Sequence, residues 1–224
     1  MKENRYHISY ATTPPSLQGR WEDNVWRSVL PLSLACFHPE GSAHRPRTEC
    51  KLLYDADTLY GIFRVVDRYV RAVHTVFQSP VWRDSCVEIF VKPENAFGYF
   101  NFEFNCGGAL LASYVTDPAR AGEGLRSFVP LAAGDDLRIR RHASLPATVD
   151  PEIDAPTVWT LEFAIPMTVM THHAKGTKAH SGQIWRANFY KCGNETSHPH
   201  WASWAPLSAR NFHDPASFGR LVFC

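Results

Sequence analysis

At 224 residues, with 45% hydrophobic and 13% aromatic content, the chain can bury a sizeable core and falls outside the disordered class. Lys and Arg total 23 against 22 Asp and Glu, and no basic run stands out, which excludes a partner held by long-range attraction to phosphate, whether nucleic acid or an anionic membrane. No stretch approaches the ~18 apolar residues of a membrane span, and the opening MKENRYHISYATTPP lacks the continuous apolar segment of a secretory leader, so a cytoplasmic setting is expected if this sequence is full length.

Along the chain, helical periodicity is nearly absent. Alternating β-branched and aromatic runs separated by Gly, Pro, Asn and Asp predict an all-β, two-sheet antiparallel sandwich in one domain over residues 1–224. Strands are expected at 49–54, 59–66, 86–91, 99–105, 109–114, 137–141, 158–165, 183–191 and 219–223. Asp55-Ala56-Asp57 and Asn105-Cys106-Gly107-Gly108 supply hairpin turns. Residues 115–133 and 144–156 read as long loops, and 166–175 as the one short helix, opened by Pro166. Six cysteines show no CxxC pair. Cys50, Cys86, Cys106 and Cys192 sit in or beside strand-like runs, where reduced thiols act as small buried hydrophobes.

Successive side chains of a strand point to opposite faces, so each run can be split in two. Phe100, Phe102 and Phe104 share one face; Val87, Ile89 and Val91 share another, as do Trp185, Ala187 and Phe189, and Leu59, Gly61, Phe63 and Val65. Those faces are expected in the core. The reverse faces of neighbouring strands would build a wall of Arg64, Glu88, Asn101, Glu103, Asn105, Arg186, Asn188 and Tyr190. Planar donors and acceptors beside an aromatic suit sugar hydroxyls, each of which both donates and accepts. The same pattern also describes the plain polar outside of a sandwich.

Three segments carry a family resemblance. Pro80 to Val91 reads PVWRDSCVEIFV, a Trp shortly before Asp-Ser-x-Val-Glu-Ile-Phe. Tyr99 to Gly108 is an aromatic strand that ends in Phe-Glu-Phe-Asn and a glycine turn. The tail reads HWASWAP, then NFHDPASFGRL. In order and spacing these resemble the family 9 carbohydrate-binding modules, a DOMON-like class, over nearly the whole chain. The resemblance implies a non-catalytic module that clamps a terminal sugar ring between two tryptophans while a Glu and neighbouring amides bind its hydroxyls. It also implies work beside a glycoside hydrolase in polysaccharide catabolism. Carried over by position, Trp82 is the first stacking ring, Glu88 the hydroxyl-binding acid, and Phe212 stands where the second Trp is expected. Glu103 stands where the family has a basic residue. Asn105, Arg64, Arg186 and Asn188 complete the expected site. Trp21 and Trp26 match the family's opening element and read as structural staples. Of Trp201 and Trp204, one is expected under the closing strand and the other at the site.

Other chemistries are weaker. A Glu88/Glu103 glycosidase pair and a structural sandwich that has lost its sugar site are the rivals. The eleven histidines lack zinc-site spacing. Met167 and Met170 lie on the same helix as His172 and His173 rather than across a cavity from them, which disfavours haem. No cofactor is implied, although calcium accompanies some relatives. The loop acids Asp135, Asp136, Asp150, Glu152 and Asp154 could serve it, with no ligand set assigned.

Overall fold

The computed structural model describes residues 3–122 and 124–224. Two sheets pack face to face. One runs, in spatial order, through β10 (Gly124–Pro130), β9 (Leu110–Ala121), β8 (Tyr99–Asn105), β7 (Cys86–Lys92), β14 (Ile184–Cys192), β16 (Gly219–Phe223) and β1 (Arg5–Tyr10). The other runs through β1, β4 (Arg47–Tyr54), β5 (Thr58–Asp67), β13 (Thr157–Pro166) and β11 (Arg140–Ala143). The first four residues of β1 pair with β16 and its last two with β4, both in parallel, so one strand crosses from sheet to sheet and closes that edge. Short strands finish the fold: β2 (Leu32–Ser33) lies on β4, β15 (Trp201–Ser203) joins β14 to β3 (Cys36–Phe37), and β12 (Val149–Ile153) pairs with β6 (Val70–Ala72).

The core is the space between the sheets. Phe100, Phe102 and Phe104 enter it from one sheet with Val87, Ile89, Trp185 and Phe189, and meet Phe63, Trp159, Leu161 and Phe163 from the other. The expected inward faces do form the core, because a period of two lets every second residue of β7, β8 and β14 meet the opposite sheet. The outer face of the second sheet is covered by residues 11–29, which include the one-turn helix α1 (Asn24–Arg27). Trp21 and Trp26 pack on Leu53, Tyr60, Ile62 and Ala164. Trp26 Nε1 donates to Glu162 Oε1 (2.8 Å), Gly19 N donates to Glu162 Oε2 (2.7 Å), and Lys51 Nζ donates to the Trp26 carbonyl (2.8 Å) while lying 4.3 Å from the Trp21 ring centre. These two tryptophans hold the fold.

Four expectations need correction. Residues 115–133 are not a loop: β9 continues to Ala121 and β10 pairs back on it, with shifts in register between Leu125 and Phe128. That hairpin is exposed on both faces for much of its length, so its sequence carries no alternation to read. Residues 137–141 are not one strand, because α2 (Ala133–Arg138) precedes β11. Its start is fastened by Ala132 N donating to Asp135 Oδ2, with Asp135 and Asp136 in the first turn, where the helix dipole favours acids. Within 144–156, β12 forms by pairing with β6. The helix near 166 is α3 (Met167–Thr171), shorter than expected. The strand β1 was missed, although its Tyr6 and Ile8 alternate with exposed residues.

All six cysteines are free, and Cys50, Cys86, Cys106 and Cys192 are buried. No helix among the described residues is long and apolar enough to cross a membrane. A buried polar cluster closes one end of the core. Lys191 Nζ lies 3.4 Å from Asp67 Oδ2 and donates to His200 Nε2 (2.8 Å), while His44 Nε2 and Trp159 Nε1 also reach Asp67. Burial, then the Lys191 charge, push the His200 imidazole down to about 3. Lys191 and its other partners hold the Asp67 carboxyl well below its usual range against the opposing effect of burial.

Two outcomes follow. Gly61 has no room for a methyl group, since a Cβ there would lie 2.2 Å from Phe163 Cζ and 2.9 Å from Leu52 Cδ2. Gly61→Ala should therefore cost about 1–3 kcal/mol in denaturant unfolding. An unchanged midpoint would show that the Phe163 and Leu52 side chains, on the two strands flanking β5, give way at no cost. His200 stays neutral in the fold but takes a proton when unfolded once the pH drops below about 6.5. Stability from this group is complete above that pH and is lost as pH falls toward the folded value of about 3. The loss of unfolding free energy between pH 7 and pH 5 should shrink in His200→Gln, which keeps an acceptor for Lys191. Equal losses in both proteins would exclude His200 as the source.

Candidate functional site

The outward faces of β7, β8 and β9 do not meet solvent directly. The 3₁₀ turn Val81–Arg83, the β9–β10 hairpin and the segment 194–213 rise around them and leave a cavity of about 480 Å³. That volume is within the roughly 300–1,000 Å³ usual for small-molecule sites. Trp82, Leu111, Trp201 and Phe212 are its apolar walls; Glu88, Asn101 and Glu103 form its polar floor; Arg120, Asn194, Arg210 and His213 stand around them.

Each wall has a local cause. Trp82 sits between buried Val81 and Asp84, and Asp84 Oδ2 accepts from the Val73 and His74 amides and from Asn105 Nδ2 (2.9 Å). The turn is thereby clamped, and the indole is left partly exposed with Arg83 5.1 Å from its ring centre. Phe212 stacks on Tyr190 at 4.0 Å and 8°, and the Tyr190 hydroxyl donates to the Phe212 carbonyl (2.9 Å). Trp201 is oriented by its Nε1 donating to Asn194 Oδ1 (2.8 Å), and Arg210 lies 4.6 Å from its ring centre. Tyr99 and His213 pair at one side (Oη to Nδ1, 2.7 Å), and burial, then Arg120, push His213 down to about 4.

The floor is unusual in charge. Glu88 and Glu103 lie directly opposite one another on β7 and β8 and are only 2% and 4% exposed. Burial first, and the neighbouring Glu103 charge second, hold the Glu88 carboxyl well above the usual carboxylate range. Burial lifts Glu103 to about 7, although Asn101 Nδ2 donates to its Oε1 (2.8 Å) and favours ionisation. Glu103 Oε2 is buried without a partner among the described residues. Cys192 Sγ donates to Glu88 Oε1 (3.2 Å), and Cys86, Glu88 and Cys192 bring two sulfurs and a carboxylate oxygen within 4.8 Å of one another. That set has the donor types of a soft-metal site, but burial raises the Cys86 thiol far above its ordinary value, so two protons would have to leave first.

The expected wall therefore divides. Trp82, Glu88 and Phe212 come together at the cavity, with Asn101 and Glu103. Asn105, Arg64, Arg186 and Asn188 do not line it. Arg64 belongs to the other sheet, bound to Glu49 Oε2 (2.7 Å) and lying over Trp21. Arg186 donates through Nε to the Phe218 carbonyl (2.9 Å). Asn188 is spent on both backbone groups of Ala205, and Asn105 on His74 O, Asp84 and the Ala109 amide. Strand alternation tells which side these residues occupy but not which strands lie under the cavity. Trp204 is the tryptophan packed in the core, against Phe189, and Trp201 is the one at the cavity. Arg120, Leu125 and Phe128 stand on the β9–β10 hairpin, whose sequence reads as a loop, so no strand face points to them. Of the acids considered for calcium, Asp135, Asp136 and Asp154 pair with Arg138, Arg141 and Arg68, and Glu152 accepts from the Ser197 amide. Met167 and Met170 are buried in the main core.

Among solved structures, the chain is similar to one from Bacteroides uniformis described as a "putative carbohydrate-binding protein" (26% identity, TM-score 0.85, 100% of both chains covered). It is also similar in fold to a family 9 module from Caldicellulosiruptor kristjanssonii, solved with glucose (16% identity, TM-score 0.66, 99% of this chain and 96% of that one) and with cellotriose (17%, 0.66, 98% and 93%). No curated protein gives a significant match. The family described as "Carbohydrate-binding family 9" matches residues 30–223. With its two-sheet sandwich and aromatic-walled cavity, the chain belongs to carbohydrate-binding family 9.

Proposed function

We propose that the chain binds a mono- or oligosaccharide in the cavity without cleaving it, and that it serves polysaccharide catabolism, with a glycoside hydrolase as its partner. The observation that carries the binding reading is the meeting of partly exposed Trp82, Trp201 and Phe212 over the acid floor of Glu88 and Glu103. Aromatic faces take the apolar C–H face of a pyranose, and carboxylate and amide oxygens accept from its hydroxyls. Phe212 is backed by Tyr190, so its ring is held in place before a ligand arrives, which reduces the ordering cost of binding. Asn105, through Asp84, positions Trp82, while Asn188 fastens the chain just after Trp204. They act through the walls rather than on the sugar. Binding is favoured over hydrolysis because both acids lie side by side on one floor, whereas a glycosidase pair flanks the scissile bond.

The C. kristjanssonii module was solved with glucose and with cellotriose, which makes glucose and short β-glucans the first ligands to try. Calorimetry against these, xylose and xylo-oligosaccharides should find a ligand with micromolar to millimolar affinity. Trp82→Ala should weaken it by about tenfold or more, the effect of losing a stacked ring and its buried area. Binding that survives this substitution would remove the cavity from the reading, and a panel with no ligand would leave a structural sandwich. Incubation with aryl glycosides and xylo-oligosaccharides should give no products; turnover that disappears in Glu88→Gln would replace binding with catalysis.

A further inference from the structure

We propose that the preferred ligand is a cationic aminosugar, whose ammonium group sits against the paired carboxyl groups of Glu88 and Glu103. This rests on the sugar-binding reading and narrows it to a class. Residues directly opposite on antiparallel strands have Cβ atoms roughly 4.5–5.5 Å apart, so the two side chains share one small space on the outward face of β7 and β8. Both are almost wholly buried, and among the described residues neither is in an ion pair with a cationic side chain. The groups around them are the Cys86 and Cys192 thiols and the Tyr190 and Tyr99 hydroxyls, none of which is a cation. Arg120, Arg210 and His213 also line the cavity, but none of them makes an ion pair or hydrogen bond with either acid; Arg120 acts on Tyr99 and on His213, and Arg210 lies over the Trp201 ring.

Two buried acids with no counter-charge are costly for a fold, and leaving a buried oxygen without a donor adds to the cost. Glu103 Oε2 is such an oxygen. The one amide donor on the floor, Asn101 Nδ2, is already spent on Glu103 Oε1. The floor thus offers acceptors and little else. A hydroxyl brings one donor and needs acceptors satisfied in return; an ammonium brings three donors, a full positive charge and no acceptor. It would form charge-assisted hydrogen bonds with the pair and expel the proton or protons that the two acids keep between them. An N-acetylated sugar has neither the charge nor the three donors. The competing cation is a metal at Cys86, Glu88 and Cys192, which must strip two buried thiols and leaves the orphaned Glu103 oxygen unused.

The test is calorimetry of the intact protein with glucosamine, glucose and N-acetylglucosamine at pH 6.5, in two buffers of different ionisation enthalpy. Glucosamine should bind about tenfold more tightly than the other two, with net proton release. In Glu103→Gln the glucosamine-to-glucose ratio should fall to near one and the proton release should diminish. The near-isosteric amide removes a group that is harder to ionise folded than unfolded, so the variant should be at least as stable as the parent at pH 8, which checks that it folds. Equal affinities for the three sugars would overturn the proposal while sugar binding stands, and so would a glucosamine preference that Glu103→Gln leaves intact. Failure of every sugar would remove the binding reading itself. Zinc uptake by the sugar-free protein that disappears in Cys192→Ser would also overturn it, because the ion would then be the missing cation.

Discussion

Three adjacent strands, β8, β7 and β14, carry two incompatible environments on opposite faces. Inward, Phe100, Phe102, Phe104, Val87, Ile89 and Phe189 leave no polar atom among them and weld the two sheets together. Outward, Glu88 and Glu103 are held as deeply buried as a core residue, yet among the described residues neither is in an ion pair. A period of two is the only backbone geometry that can keep these faces apart at every step. A slip of one residue in register would drive acids into the core and phenylalanines into the cavity. The stiffness of the aromatic side is what lets the strained polar side persist.

The rest of the site is assembled on that platform from a turn, a strand end, a loop and a hairpin. The Val81–Arg83 turn brings Trp82, the end of β14 brings Cys192, the segment beyond β15 brings Phe212, and the β9–β10 hairpin brings Arg120 and Phe128. The turn and the segment beyond β15 are tied back to the sheets by side chains that never reach the cavity: Asn105 with Asp84, Tyr190 under Phe212, Asn188 on Ala205. These ties explain how loops can hold aromatic rings in a fixed arrangement. Buried amides that each satisfy two or three backbone groups are stiffer anchors than exposed ion pairs.

The opposite side of the molecule uses similar chemistry for a different end. Over the second sheet, Glu162, Lys51 and Arg64 are polar groups on an outward face, as Glu88 and Glu103 are. There, Trp26 and Gly19 donate to Glu162, Lys51 donates to the Trp26 carbonyl, and Trp21 lies over Arg64. One polar outer face is thus closed by the N-terminal segment and the other is left open as a cavity, although both read alike in the strands themselves.

That contrast marks the limit of the sequence. Alternation within Tyr99–Asn105 and Cys86–Lys92 determined the strands, their inward faces and the sandwich, because side-chain direction in a strand is set locally by the backbone. The motif around Trp82 and Glu88 and the tail around Phe212 located three residues that do meet at the cavity. Local rules could not say that Arg64 belongs to the other sheet, that Asn188 and Asn105 are consumed by backbone groups, or that residues 115–130 form a hairpin over the cavity. Strand order and the path of covering loops are settled by pairings between residues far apart in the chain, and those pairings appear only when the whole chain is packed.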